Sequence, residues 1–247
     1  MTLQSVKTLS ASDRNSAIDI FRAVAIIGVI LFHFDNTLPY GFLGVDLFFV
    51  ISGFLVSGLL SRKMLNNEKI HFWQFFLQRG FKIWPSYISL LLVGNILAYL
   101  FYRNIDPSQL MEPWELKKYI FFYKNFSMDP VHSVFDQAWS LCVEEHFYIV
   151  LPVTLVILQT MRNQKKAIFI LTIAAIFGGI GCKIISFYFS NSGDTTFKTY
   201  NRMDGLAWGV LLNLILTYYP HYFERIRRKY LLFIAGFLLL VITMIVE

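Results

Sequence analysis

Arg22 and His33 sit eleven residues apart in IDIFRAVAIIGVILFHF, and their side chains suit holding an anion and moving a proton. Eleven steps of 100° return to within about 20° of the starting face. Both residues therefore lie on one stripe of one helix, about 16 Å apart along its axis. Charged or titratable groups in or beside a membrane span are costly to keep there, which makes them functional candidates by default. The same stretch, 18–60, also carries Asp19, Asp35 and Asp46. Further on, WSLCVEEHFYIVLP opens another apolar run with Trp139, Ser140, Glu144, Glu145 and His146. An imidazole beside a carboxylate in a low-dielectric site is the usual construction of a general base for activating a hydroxyl. The expected arrangement brings Glu144 and Glu145 to His33, with Asp46 close by, if the first and fourth spans pack together. A structural network of buried ions accounts for the same residue types equally well.

Other residues offer narrower chemistry. Arg79 and Lys82 lie three apart in the aromatic, basic stretch FWQFFLQRGFKIWP. Arginine holds phosphate in bidentate fashion and lysine as a point charge; anchoring among lipid headgroups with snorkelling side chains is the competing reading. Arg202 and Asp204 open RMDGLAWG at an apolar boundary, while Gly205 and Gly209, four apart, have the spacing of close helix packing. Ser140 lacks the flanking glycines of a nucleophile elbow. The histidines have no helical metal-ligand spacing with a carboxylate, so no metal is expected. Cys142 and Cys182 both lie in apolar runs and read as small core residues.

These side chains need a frame. Of the 247 residues 56% are hydrophobic and only 15% charged, with 25 Phe and 13 Tyr, against about 25% charged in a soluble domain. Continuous apolar runs predict an all-α integral membrane protein; an outer-membrane barrel would show alternation instead. Residues 1–17 read as a polar tail, and 18–247 as one membrane domain. Spans are predicted at 18–34, 42–60, 83–102, 138–161, 167–189, 204–219 and 230–246, seven in all. Between the second and third, 61–82 reads as a basic segment with an interfacial helix, and Pro85 falls in the first turn of the third span. Residues 103–137 are too interrupted by charge to cross. With that segment outside, the tail, 61–82, RNQKK (162–166) and ERIRRK (224–229) all fall on the cytoplasmic side, as the positive-inside rule asks. Arg22 then lies toward the cytoplasm and His33 toward the exterior. The net charge of +6 is accounted for by that bias and calls for no nucleic acid partner.

Five stretches in order carry a family resemblance: the Arg22–His33 stripe, GFLGVDLFFVISGFL (41–55), FFLQRGFKIWPSY, WSLCVEEHFY (139–148) and RMDGLAWG (202–209). Together they resemble membrane-bound acyltransferase family 3, which includes O-acetylases of bacterial surface polysaccharides. The resemblance implies transfer of an acyl group, commonly acetyl from acetyl-CoA, to a glycan hydroxyl at the bacterial inner membrane. It implies that Arg79 and Lys82 hold the CoA phosphates. His33 would be the general base or part of an acyl relay, oriented by Glu145 or Asp46, while Arg22 would meet the donor or a developing negative charge. Trp139, Ser140, Tyr148, Arg202 and Asp204 enter as substrate-binding or structural motif residues beside Glu144. Two positions depart from the family pattern: Lys82 stands where a second arginine is usual, and His146 turns EEQFY into EEHFY. The family has about ten spans against the seven counted, so the domain is expected to be incomplete at its C-terminal side. A transporter or an inactive, shortened paralogue are the alternatives. The acceptor, whether O-antigen, peptidoglycan or another saccharide, is not legible in the sequence.

Overall fold

The computed structural model describes residues 16–34, 38–106, 110–112, 114–127, 135–189 and 195–221. They form seven α-helices: α1 (Ser16–His33), α2 (Leu43–Leu65), α3 (Phe72–Tyr102), α4 (Leu116–Ile120), α5 (Trp139–Leu158), α6 (Gln164–Phe189) and α7 (Thr199–Tyr218). No strand occurs among the described residues. Four stretches are long and apolar enough to cross a bilayer: Pro39–Leu65, Phe72–Tyr102, Trp139–Leu158 and Gln164–Phe189. The protein is an all-α membrane protein. α1 and α7 stand at the predicted first and sixth spans, and the predicted span at 230–246 lies outside the described residues.

α2 and α7 form the spine of the bundle. A Cβ at Gly53 would run into the carbonyl oxygen of Leu206, and one at Gly209 into that of Val50. Only glycine lets the two backbones approach so closely, which gives the Gly205/Gly209 spacing its packing role. α5 lays Val143 and Phe147 against this spine, closing a core with Phe49, Val56, Leu60 and Leu206. α1 rides on the first half of α2, where Gly41 and Gly44 meet the carbonyls of Gly28 and Ala25. α6 covers the other side of α7, with Gly179 leaving room for Asp204.

α3 departs from expectation. The predicted interfacial helix and third span are one unbroken helix of 31 residues, about 46 Å long at 1.5 Å per residue. Pro85 is therefore interior and not in a first turn. Its missing N–H frees one carbonyl, a loss that membrane helices tolerate through local adjustment. The stretch before it is propped as helix by its own aromatics: Phe72 stacks on Phe76 at 5.7 Å, and Phe76 meets Trp84 edge-on at 5.4 Å.

None of the described pieces of the segment after α3 is a helix long and apolar enough to cross a membrane. Its described parts fold into α4 and single turns at Lys124–Phe126 and Asp136–Ala138. Tyr119 is wholly buried there, and its carbonyl accepts a hydrogen bond from the Tyr87 hydroxyl of α3 at 3.2 Å. Lys118 and Lys124 both reach Glu115 at 3.4 Å. A buried ammonium needs a carboxylate partner, and here one carboxylate serves two. At the opposite end of the bundle, Gln159 ties the α5–α6 turn to the α2–α3 turn. It accepts from the Ile70 N–H at 3.2 Å and donates to the Glu68 carbonyl at 2.9 Å.

Candidate active site

Halfway along the bundle, four helices direct polar groups at one another. Glu144 and Tyr148 are one turn apart on α5, so they share a face. The Tyr148 hydroxyl donates to Glu144 Oε2 at 2.8 Å. Ser52 Oγ of α2 lies 2.7 Å from the same hydroxyl. A phenol has one proton to give. With that proton on Glu144, Ser52 must be the donor to Tyr148, and the order Ser52 to Tyr148 to Glu144 follows. All three residues are buried. From α3, the Arg79 guanidinium lies over the Tyr148 ring, 5.5 Å from its centroid. Glu144 has no ion pair among the described residues, but Arg79 and Arg22 are near enough for their charge to reach its carboxylate. Arg22 also lies 5.9 Å from the Phe48 ring centroid, and its Nε is buried with no hydrogen-bond partner.

Glu145, the next residue on α5, points a further 100° around the helix, toward α3. Its carboxyl faces the Trp84 indole. The pair does not close hydrogen-bond geometry, since Glu145 Oε1 and Trp84 Nε1 are both buried without a partner. This level of the bundle thus holds unpaired buried donors and an unpaired acceptor. Buried polar groups are normally satisfied, so such orphans mark where a ligand group or water belongs.

His33 stands elsewhere. It is the last residue of α1, exposed, with Nδ1 2.8 Å from the Val29 carbonyl and its ring edge-on to Phe32 at 5.2 Å. A carbonyl can only accept, so Nδ1 carries the proton and, in the neutral ring, Nε2 keeps its lone pair for chemistry. The expected meeting of His33 with Glu144, Glu145 and Asp46 does not occur: no hydrogen bond or ion pair joins them in the described structure. Glu144 lies deeper, with Arg22 and Arg79, because α5 buries its Glu144–Tyr148 face against α2 and α3. Asp46 is taken by another partner. Arg202 Nη1 donates to Asp46 Oδ1 at 3.0 Å, and its guanidinium lies over Trp139 at 5.3 Å. Arg202 Nε also donates to the Thr196 carbonyl at 2.9 Å. These three residues knit the first turns of α2, α5 and α7 together at the His33 end. Asp35 lies outside the described residues.

The other predicted residues are placed as follows. Asp204 does not pair with Arg202; its Oδ2 accepts from Lys183 of α6 at 2.7 Å, and its Oδ1 is buried without a partner. Ser140 Oγ donates to the Gln137 carbonyl at 3.2 Å, holding the turn before α5. Lys82 is exposed, three residues on from Arg79 along α3. His146 leaves the carboxylates for α7, with Nδ1 2.7 Å from Thr199 Oγ1, which also accepts from Asn125 Nδ2 at 2.7 Å. Sequence reasoning missed Ser52, Trp84 and Lys183 as partners. Lys183 carried a readable signal, being the lone charge within the apolar run 167–189. Ser52 carried none beyond being a small residue in an apolar motif.

Charged side chains kept inside an all-α membrane bundle define a class, a membrane protein whose polar interior is a functional candidate. The comparisons narrow it. Residues 15–247 match the Acyltransferase domain family, Acyl_transf_3, and the chain belongs to that family. It is 32% identical over 217 residues to "Putative O-acetyltransferase" of Staphylococcus aureus strain COL, covering 79% of this chain and 34% of that protein. It is 27% identical over 212 residues to O-acetyltransferase OatA of Staphylococcus aureus strain NCTC 8325 / PS 47, covering 80% of this chain and 34% of that protein. The chain spans about a third of the length of these curated relatives. No solved structure matches it.

Proposed function

We propose that this chain is the membrane part of an O-acyltransferase that moves an acyl group, acetyl in the first instance, from acyl-CoA to a hydroxyl of a cell-envelope glycan. The observation that carries this reading is the pair of arginines, Arg22 and Arg79, facing Glu144 in mid-bundle with Arg22 Nε unpartnered. Two half-buried cations near one carboxylate, one of them with an unpartnered buried N–H, have use for an anionic or polar ligand. The names of the relatives in Staphylococcus aureus support O-acetyl transfer as the reaction. The cations clustered at the opposite end from His33, among them Arg62, Lys63, Arg162 and Lys165, support a cytoplasmic donor side and an external acceptor side in the bacterial inner membrane.

In this scheme the donor enters from the cytoplasmic end. Lys82, exposed on α3, and Arg79 meet its phosphate groups, and the acyl arm runs on toward Arg22. The acceptor approaches from the His33 end, where Asp46, Arg202 and Trp139 form a polar and aromatic wall suited to a sugar. His33 Nε2 takes the acceptor hydroxyl proton as that oxygen bonds to the acyl carbon. The thioester C–S bond breaks, and the proton passes to the departing CoA sulfur. Arg22, about 16 Å along α1 from His33, meets a polar group of the donor arm away from the reacting carbon, and Glu144 and Glu145 fix the arginine and indole groups around it. Ser140 and Asp204 support the walls.

The test uses membranes containing the full-length protein, supplied with radiolabelled acetyl-CoA and envelope glycan. His33→Ala is expected to lower transfer about a thousandfold, the loss of a general base, while inserting at the wild-type level. Undiminished acetylation by that variant would reject the assigned role, and failure of the wild type to consume acetyl-CoA would reject the donor.

A further inference from the structure

We infer that Ser52 is a positioning residue of the donor site and acts chiefly through the Tyr148 hydroxyl. The inference rests on the acyl-transfer reading above and adds a residue to it. Ser52 lies in the middle of α2, 4% exposed, and its Oγ is 2.7 Å from Tyr148 OH. Its neighbours on α2 behave differently. Ser57 turns back to the Gly53 carbonyl at 2.6 Å and Ser61 to the Gly58 carbonyl at 3.4 Å, the local back-bonding usual for serine within a helix. Ser52 instead crosses to another helix, to a residue 96 positions away.

Tyr148 is a junction. Its hydroxyl proton goes to Glu144 Oε2 at 2.8 Å, and its ring carries Arg79 at 5.5 Å. The hydroxyl oxygen has lone pairs left for one donor, and Ser52 supplies it. In a low-dielectric interior a hydrogen bond received strengthens the one given. Ser52 thereby holds the phenol in the plane that serves both the carboxylate and the guanidinium. It also lies close enough to the Glu144 carboxylate to act on it directly. Small side chains in membrane helices usually serve packing, as Gly53 beside it does; the crossing hydrogen bond separates Ser52 from that class.

A double-mutant cycle on the full-length protein tests this, read as KM for acetyl-CoA and kcat. Ser52→Ala is expected to raise KM about fivefold, the worth of one buried hydrogen bond, with kcat within about twofold of wild type. Tyr148→Phe keeps the ring under Arg79 and loses both hydrogen bonds, so its KM rises further. The decisive value is the double variant: with the phenol hydroxyl gone Ser52 keeps only its reach to Glu144, so removing Ser52 in the Tyr148→Phe background should raise KM by clearly less than it does in the wild type. Effects that multiply, or a Ser52→Ala variant with unchanged KM, would overturn the inference while leaving acyl transfer standing. A fall in kcat and thermal stability with unchanged KM would assign Ser52 to packing and overturn it as well. A wild-type protein that does not turn over acetyl-CoA would overturn the transfer reading and this inference with it.

Discussion

The two levels of the bundle that hold ionised side chains are built on opposite principles. At the His33 end, Arg202 has Asp46, the Thr196 carbonyl and the Trp139 ring, and Lys183 has Asp204. Each of these two cations has its own anion. In mid-bundle two arginines gather on one carboxylate, Glu144, whose Oε2 already accepts from Tyr148. The orphaned atoms Arg22 Nε, Glu145 Oε1 and Trp84 Nε1 belong to this level. Burying an ion is costly unless it is paired and hydrogen-bonded. The paired level therefore reads as structure. The underpaired level reads as a site for a ligand, because orphaned atoms from three helices gather there, whereas the pairs at the other level leave only Asp204 Oδ1.

The comparison breaks most sharply at Arg22. If the mid-bundle cations wait for substrate, Arg22→Ala should cost about a hundredfold in kcat/KM, the scale for losing one preorganised electrostatic group. Its melting temperature should hold or rise, because a cation without its full complement of partners has been removed. Turnover assays and thermal unfolding in detergent read the two quantities separately. A variant that melts early and turns over normally per folded molecule would make Arg22 structural and erase the distinction between the levels. Glu144→Gln comes next. It keeps an acceptor for Tyr148 but removes the charge on which Arg22 and Arg79 converge. About a tenfold loss of kcat/KM is expected, in keeping with the strength of hydrogen bonds and pairs to charged groups.

The same contrast explains what could be read before any coordinates. Helix order, the placement of Arg22 and His33 on one helix, and the lack of a long apolar helix in the described parts of 103–137 are local properties, set by periodicity, apolar run length and charge within a few residues. Partner choice is not local. Asp46 sits thirteen positions from His33 in sequence yet pairs with Arg202, 156 positions away, because the backbone contact at Gly53 and Gly209 lays α7 along α2. Nothing in the spacing of Glu144 states whether its face turns to α1 or to α2 and α3. Ser52 was hidden for the same reason, as a small residue that packs and one that reaches across look alike in sequence. Pro85 misled in the opposite direction. A strong local stop signal was overridden by the aromatic stacking of Phe72, Phe76 and Trp84 along α3.

A milder test falls on Arg202→Ala at the paired level. Asp46 would keep partial solvent access, so the cost to folding should be about 1 kcal/mol, as for other polar contacts between membrane helices. Turnover per folded molecule should fall only about threefold, through loss of order at the acceptor wall. A drop as deep as that of Arg22→Ala would show that pairing within the described structure is a poor guide to role.

Lys183 gives the smallest expected effect on turnover and the sharpest statement of the contrast. Its ammonium donates to Asp204 at 2.7 Å between α6 and α7, on the side of α7 away from α1. Lys183→Met should leave turnover per folded molecule within about twofold of wild type, because no reacting group is in reach. It should still destabilise, since Asp204 would be left with both oxygens unpaired in a largely buried position. Adding Asp204→Asn removes the stranded charge, and the double variant should recover most of the lost melting temperature. Recovery in the double variant is the signature of a pair kept for each other's sake. Arg22 and Glu144 should show no such mutual rescue, because each of them is held for a third party.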